Sequence, residues 1–528
     1  MEKSKLFKQR LFRVHVAAGI TFSLIMYLAV FFGIFAIFLP YIQTWEKPSR
    51  HIQKTDIMNV DYNAMIEEVL KDPNFPKNNI LVNLPGRMGD PAVNISHRFV
   101  QAIAFNPNTK EKINNEDKNT SNLAAFLNEL HYGQPLKLIG RLSFGFVAVG
   151  TMVLIITGLI LIYLFNFNNQ GKSQQAIFSK IHVKVFTWAF IPFLLITLSG
   201  AFMNVGLISA GPMSKILTKG EAKGIDEVVG KVLFPQSKPV KKVKEKASML
   251  PLSSLLKKAK EINPQLELKQ VKLINWNDKT ARVEIIGYNP YKPFLNGGIF
   301  NQPHITLNAL TAELIENKKV LDNVWPVFVA ESLFFLHFLF GIDIFSRTAV
   351  ALIMGLCGIA IGFAVMLWLE KKAKKFENKI TFYHWMGKLS LATMIGVIPA
   401  TAVLFVLQWL LPFSLEDRVL WQKGIFYNVW LATLFWSFYR INSYKAAKEF
   451  FALAGVLFIL SVILHFITQS TTPSTLIKNH MTNILGVDIA LFIFGISLLY
   501  ISKKLPKERE EAKIFWSLKK GRKNEKLI

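Results

Sequence analysis

Apolar residues along this chain fall into long, nearly unbroken runs separated by two extended polar stretches. A helix rises ~1.5 Å per residue and the hydrocarbon layer of a bilayer is ~30 Å thick, so about 20 apolar residues suffice for one crossing. Eight runs reach or approach that length, at 12–40, 138–165, 182–208, 345–369, 381–411, 424–441, 449–468 and 483–502. The pattern predicts an all-α polytopic membrane bundle of about eight transmembrane helices. The polar stretches, 41–135 and 209–325, carry other periods. Tyr62, Met65, Ile66, Val69 and Leu70 share one face of a helix predicted over Asp61–Lys71, while Ile80–Leu84 and Val93–Phe105 alternate as strands do. Leu252–Ile262 repeats the helical pattern, followed by strand-like Glu267–Trp276 and Ala281–Tyr288. Each polar stretch therefore reads as a small α+β domain inserted between spans.

This gives the order: first span within 1–40, first inserted domain at 41–135, second and third spans in 136–208, and second inserted domain at 209–325. A lead-in segment with the fourth span follows at 326–370, then a C-terminal bundle of four spans at 380–502 and a basic tail at 503–528. Charge orients the bundle. Lys3, Lys5, Lys8, Arg10 and Arg13 precede the first span, Lys371, Lys372, Lys374 and Lys375 follow the fourth, and Arg440, Lys445 and Lys448 follow the sixth. With eight spans, these groups and the tail share one side, the cytoplasmic side by the positive-inside rule. Both inserted domains are then extracytoplasmic, as expected of a bacterial inner-membrane protein with cytoplasmic termini. The net charge of +27 belongs to this marking; no nucleic-acid recognition motif accompanies it. The Lys-rich stretch Lys238–Lys246 reads as a solvated linker, or else as a dock for an anionic partner or lipid head groups. The run Leu11–Tyr41 is about twice a signal-peptide core and is expected to be a retained anchor. A single cysteine, Cys357, excludes disulfides within the chain, Cys-ligated iron–sulfur clusters and covalent C-x-x-C-H haem attachment.

An internal duplication carries the candidate chemistry. Arg13-Val14-His15 opens the first span and Lys180-Ile181-His182 the third, and each histidine is followed 18 residues later by a glycine, Gly33 or Gly200. Leu130-His131 and Leu336-His337 each precede an arginine, Arg141 or Arg347, by ten residues. The repeated unit is span, outer domain, span. It puts His15 and His182 near the cytoplasmic face and His131 and His337 near the outer face. A membrane-embedded imidazole needs a partner for each ring nitrogen, and facing histidines on helices can clamp a porphyrin. The alternative for any single histidine is an interfacial residue bonded to a carbonyl or water. His384, in Tyr383-His384-Trp385, opens the fifth span and is a rival inner ligand, although no glycine stands 18 residues on. Arg141 and Arg347 are candidate partners for haem propionates, or snorkelling arginines. His465 and His480 are weaker candidates, and His51, His97 and His304 fall in polar segments.

On these residues the chain, over roughly 1–370, resembles PepSY-associated transmembrane helix proteins, which include membrane-bound ferric-siderophore reductases of Gram-negative bacteria. The helix–strand–strand order of the inserted domains is similar to the PepSY module. The family's Asp-Pro-x-Thr-Gly turn survives in outline as Asn106-Pro107-Asn108-Thr109-Lys110 and in position only as Asn308-Ala309-Leu310-Thr311-Ala312. The resemblance implies a di-haem oxidoreductase with two non-covalent b-type haems, the inner held by His15 and His182 and the outer by His131 and His337. Its implied partners are a ferric siderophore or other iron chelate outside and, as donor, quinol or a separate cytoplasmic protein. The four C-terminal spans lie beyond the comparison.

Two other classes of function remain open on the sequence. A non-redox PepSY-containing binding or regulatory protein would hold no haem. A transporter would be expected to bury more carboxylates than Asp488. No dinucleotide fingerprint, P-loop or H-E-x-x-H motif is present, so the electron donor is expected to be separate.

Overall fold

The computed structural model describes residues 2–505 apart from 98–99, 115–116, 118, 166–173, 222–226, 228–239, 290–301, 320–321, 323–324, 340–341 and 377–378. Most of the basic tail and the start of the Lys-rich stretch lie outside the described residues.

Among the described residues, six helical stretches are long and apolar enough to cross a membrane: Lys5–Ile37, Gln134–Leu164, Ile344–Lys375, Ile380–Leu410, Ser443–Thr468 and Thr482–Lys504. A seventh is a helix pair, Gln175–Trp188 with Phe190–Gly206, bent by 74°. The bend has a chemical cause. Pro192 has no N–H to give the Trp188 carbonyl four residues back, and its ring clashes there. Pro399 interrupts the ladder at Ile395 in the same way and divides Ile380–Leu410 into Ile380–Met394 and Val397–Leu410. The sequence-predicted span 424–441 falls within a 22-residue helix, Arg418–Tyr439, whose first turns carry Arg418, Gln422 and Lys423. A multi-pass membrane bundle is therefore observed.

We label the elements α1 (Glu2–Ile37), α2 (Leu39–Trp45), α3 (Tyr62–Leu70), α4 (Leu123–His131), α5 (Lys137–Leu164), α6 (Gln174–Trp188), α7 (Phe190–Ala201), α8 (Leu207–Leu217) and α9 (Leu252–Ile262). They continue as α10 (Trp325–Phe338), α11 (Ile344–Lys375), α12 (Ile380–Met394), α13 (Val397–Leu410), α14 (Arg418–Tyr439), α15 (Ser443–Thr468), α16 (Pro473–Lys478) and α17 (Thr482–Lys504). The strands are β1 (Ile80–Asn83), β2 (Val93–His97), β3 (Val100–Phe105), β4 (Glu267–Ile274), β5 (Arg282–Tyr288), β6 (His304–Asn308) and β7 (Leu314–Lys318).

The two inserted segments share one sheet. All neighbours are antiparallel in the order β3-β2-β1-β4-β5-β6-β7, and the join is β1 against β4, with Val82 opposite Val271. Separate sheets would each have presented an open edge at this place. One face of the sheet is covered by α3 and α9. Alternating positions supply its core: Val82, Val271, Leu273, Val283, Ile285, Ile305 and Leu307 are fully buried, with Ile66, Leu255 and Leu256 from the helices. Asp61 caps α3 by accepting from the Ala64 N–H at 3.2 Å. The other face of the sheet is polar and roofs the membrane bundle.

The turns at Asn106–Lys110 and Asn308–Ala312 are built alike. Asn106 accepts from the N–H groups of Asn108 and Thr109, and Asn308 from those of Leu310 and Thr311. Lys110 and Ala312 occupy the left-handed region at φ of 65° and 60°, where a glycine would sit without a Cβ penalty.

Within the bundle, α1 packs on α5 and α11, α11 on α6, and α5 on α7. The short helices α4 and α10 lie against α1 and α7, respectively. The C-terminal helices join the first half of the chain. Phe31, Phe32, Trp45, Phe126 and Leu127 share a core with Phe405, Trp409, Phe426 and Phe458. Polar latches reinforce it: Gln408 donates to the Glu46 carbonyl at 2.6 Å, and buried Arg418 donates to the carbonyls of Thr120, Gln408 and Leu411.

Candidate functional site

The four duplicated histidines all reach a neighbouring helix through Nδ1. His131, at the end of α4, donates to the Ala29 carbonyl of α1 at 2.7 Å, and His182 on α6 donates to the Ala360 carbonyl of α11 at 3.2 Å. His15 on α1 meets the Thr157 hydroxyl of α5 at 3.0 Å, and His337 on α10 meets the Ser199 hydroxyl of α7 at 3.1 Å. Each hydroxyl gives its own proton to a carbonyl of its helix, Thr157 to Val153 at 2.8 Å and Ser199 to Leu195 at 2.8 Å. Every partner of Nδ1 is thus an acceptor. The carbonyls facing His131 and His182 can only accept, which fixes the Nδ1–H tautomer there, and the hydroxyls facing His15 and His337, bonded onward to carbonyls of their helices, are arranged for the same tautomer with a lone pair on Nε2. No described residue bonds any of the four Nε2 atoms.

A common local rule admits the rings. The carbonyls facing His131 and His337 belong to Ala29 and Ile196, which stand 14 residues after His15 and His182. Those facing His15 and His182 belong to Leu154 and Ala360, which stand 13 residues after Arg141 and Arg347. Four residues beyond each carbonyl the side chain is minimal: Gly33, Gly200, Gly158 and Ala364. A larger residue would cover the carbonyl, and a Cβ on Gly33 would already sit 3.0 Å from His131 Cε1, with 3.2 Å at Gly200 to His337 and 3.3 Å at Gly158 to His15. The glycines 18 residues after His15 and His182 are therefore the seats of the other two histidines.

The structure brings these residues together at two levels. His131 and His337 face each other with ring centroids 5.9 Å apart and planes 28° from parallel. Two imidazoles sharing one metal at bonds of ~2.0 Å would have centroids about 6 Å apart. The other pair, His15 and His182, lie within electrostatic reach of each other. On α1 the levels of His15 and Ala29 are 14 residues apart, ~21 Å along the helix. His384 is buried on α12; Lys388, one turn further on that face, donates to the Arg440 and Ile441 carbonyls, so the face turns to the C-terminal helices.

A cavity of about 2160 Å³ opens around the His131–His337 pair. Its membrane end has apolar walls that include Met26, Val30, Val147, Phe193 and Met354. Arg141 lines it with a buried Nε that has no hydrogen-bond partner among the described residues. Arg347 also lines it, but donates to the carbonyls of Ile37, Ile342 and Leu339 and so ties helix ends together. Imidazole Nε2 atoms left without a partner, minimal side chains at the seats, an apolar slot and the unbonded Nε of Arg141 are a donor set that fits a porphyrin with propionates.

The remaining histidines separate by role. His97 and His304 line the cavity. His465 is wholly buried and bonds Asp488 at 2.9 Å, and Asp488 also accepts from Trp45 Nε1 at 2.8 Å. Its ring lies 5.4 Å from that of His51. Sequence reading missed Thr157, Ser199 and the small residues Gly158 and Ala364. Their signal was a hydroxyl-glycine pair inside an apolar run, Thr157-Gly158 and Ser199-Gly200.

Fold and site together define a multi-pass membrane protein built on a duplicated span–domain–span unit, with paired histidines at two depths. The chain belongs to the family described as PepSY-associated TM region, whose sequence model matches residues 12–371. No curated protein matches the chain.

Proposed function

We propose that the chain is an inner-membrane di-haem oxidoreductase that passes electrons across the bilayer to a ferric chelate such as a siderophore in the periplasm, releasing Fe(II). Non-covalent b-type haem, when bound, supplies a one-electron carrier at each of the two depths. The observation that carries this reading is the four-fold pattern at the histidines: Nδ1 committed to a neighbouring helix, Nε2 without a partner among the described residues, and the rings of His131 and His337 5.9 Å apart. His131 and His337 would hold the group nearer the sheet, and His15 and His182 the one nearer the far side. The neighbouring carbonyls and hydroxyls hold each ring's orientation and raise its basicity as a ligand. Gly33, Gly158 and Gly200 let the rings approach the helix backbone, and Arg141 is placed to pair a propionate. Reduction weakens a hard-oxygen chelate because such ligands favour Fe(III).

In this reading the termini are cytoplasmic, the shared sheet is periplasmic, and the donor is quinol or a separate cytoplasmic protein. Sealed proteoliposomes with a reductant inside and a ferric chelate with an Fe(II) trap outside test the proposal. Fe(II) should accumulate outside with the native protein and fall to background with His131→Ala or His15→Ala. Equal rates with native protein and variants would exclude transmembrane transfer through these residues.

A further inference from the structure

The cavity over His131 and His337 exceeds what one flat cofactor needs. Ordinary small-molecule sites occupy roughly 300–1,000 Å³, against about 2160 Å³ here. The wall facing away from the membrane is the polar face of the shared sheet. Strand alternation sends Val271, Leu273, Val283 and Ile285 into the core beneath α3 and α9 and sends Lys272, Arg282 and Glu284 into the cavity, where Lys269 joins them because β4 slips register against β5 between Leu268 and Gln270.

The lining is strongly one-signed. Among the described residues, seven Lys and Arg side chains (Arg87, Arg141, Lys269, Lys272, Arg282, Lys318 and Arg347) face two carboxylates, Glu284 and Glu316, an excess of five positive charges. Internal pairing does not remove it. Lys272 lies 3.6 Å from Glu284, Glu316 is 3.5 Å from His304, and Lys269 pairs with Glu267. Arg87 bonds only the neutral Asn83 side chain, and Arg282, on a central strand, has no ion-pair partner among the described residues. A cleft with walls of one sign focuses the field and concentrates counter-charged solutes.

We infer that the sheet-roofed part of this cavity selects anionic ferric chelates, complexes whose carboxylate or catecholate ligands leave a net negative charge, over neutral and cationic ones. The inference rests on the proposed electron transfer for its purpose, but not for its binding. Arg282 and Arg87 hold the complex against the sheet, and the His131–His337 pair lies at the floor of the same cavity. Anionic lipid head groups share the chemistry and are the competing source of ligand.

Gallium(III) complexes separate binding from reduction because gallium is not reduced under these conditions. The full-length protein, in nanodiscs of zwitterionic lipid, is titrated calorimetrically with a trianionic gallium tris-catecholate and a neutral gallium tris-hydroxamate, with haem content measured on the same preparation. The trianionic complex should bind at least tenfold more tightly, and its affinity should drop several-fold between 50 and 200 mM salt. Arg282→Gln should weaken it at least threefold while leaving the neutral complex unchanged, and Arg282→Lys should restore it. Equal affinities for the two complexes, or no effect of Arg282→Gln, would overturn the inference. So would loss of chelate binding when the nanodiscs contain anionic lipid, which would assign the basin to head groups. A haem-free preparation that still prefers the trianion would defeat the electron-transfer proposal and leave this one standing; a di-haem protein indifferent to charge would do the reverse.

Discussion

Each histidine site is decided by a single small residue. Gly33 leaves the Ala29 carbonyl open to His131, and a Cβ there would stand 3.0 Å from the ring. Gly33→Val should therefore displace His131 and leave one haem per chain instead of two, in a protein whose elution on size exclusion is unchanged; retention of both haems would contradict the seating argument. Glu46 offers a pH test outside the spans. Burial pushes its carboxyl up from 4.5 to about 7. A carboxyl whose folded value lies above its unfolded one binds its proton more tightly when folded, so stability declines as pH rises from about 4.5 through about 7. Glu46→Gln keeps an oxygen for the Ala124 N–H, now accepted at 3.1 Å, without the charge. The variant should melt at a higher temperature than the native protein at pH 8 and at nearly the same temperature at pH 5, as read by thermal unfolding in detergent.

The shared sheet is the element on which the two halves depend. Periodicity made α3, α9 and most strands legible, because alternating burial on a two-faced sheet writes itself into the sequence. The β1–β4 join was not legible. Val82 and Val271 lie 189 residues apart, and alternation says which face a residue takes but not which strand it meets. The join predicts coupled behaviour. Leu273 is fully buried beneath the covering helices, and Leu273→Ala should cost roughly 2–5 kcal/mol. Limited proteolysis of this variant should expose 41–135 and 209–325 together; cleavage confined to the second segment would mean that the two fold independently.

At the scale of the whole molecule, the duplication was readable because histidine, glycine and arginine recur at fixed spacings, and those spacings put four imidazoles at two levels. What spacing could not supply was the acceptor for each Nδ1. Two are backbone carbonyls, which have no sequence signature, and two are hydroxyls in apolar runs. The packing of the C-terminal helices on α1, α2 and α4 was also hidden, since it depends on tertiary contacts across hundreds of residues. The sequence's +27 charge marked one side of the membrane, whereas the structure reveals a second basic feature on the sheet's polar face, with residues scattered from Arg87 to Lys318. The central claim is that the paired histidines hold two haems. The most direct test is a pyridine haemochrome assay on the full-length protein, purified in detergent from haem-replete cells, with its dithionite-reduced minus oxidised spectrum. Two b-type haems per chain, falling to one in His131→Ala and in His15→Ala, is the predicted result; a colourless, folded protein would contradict it.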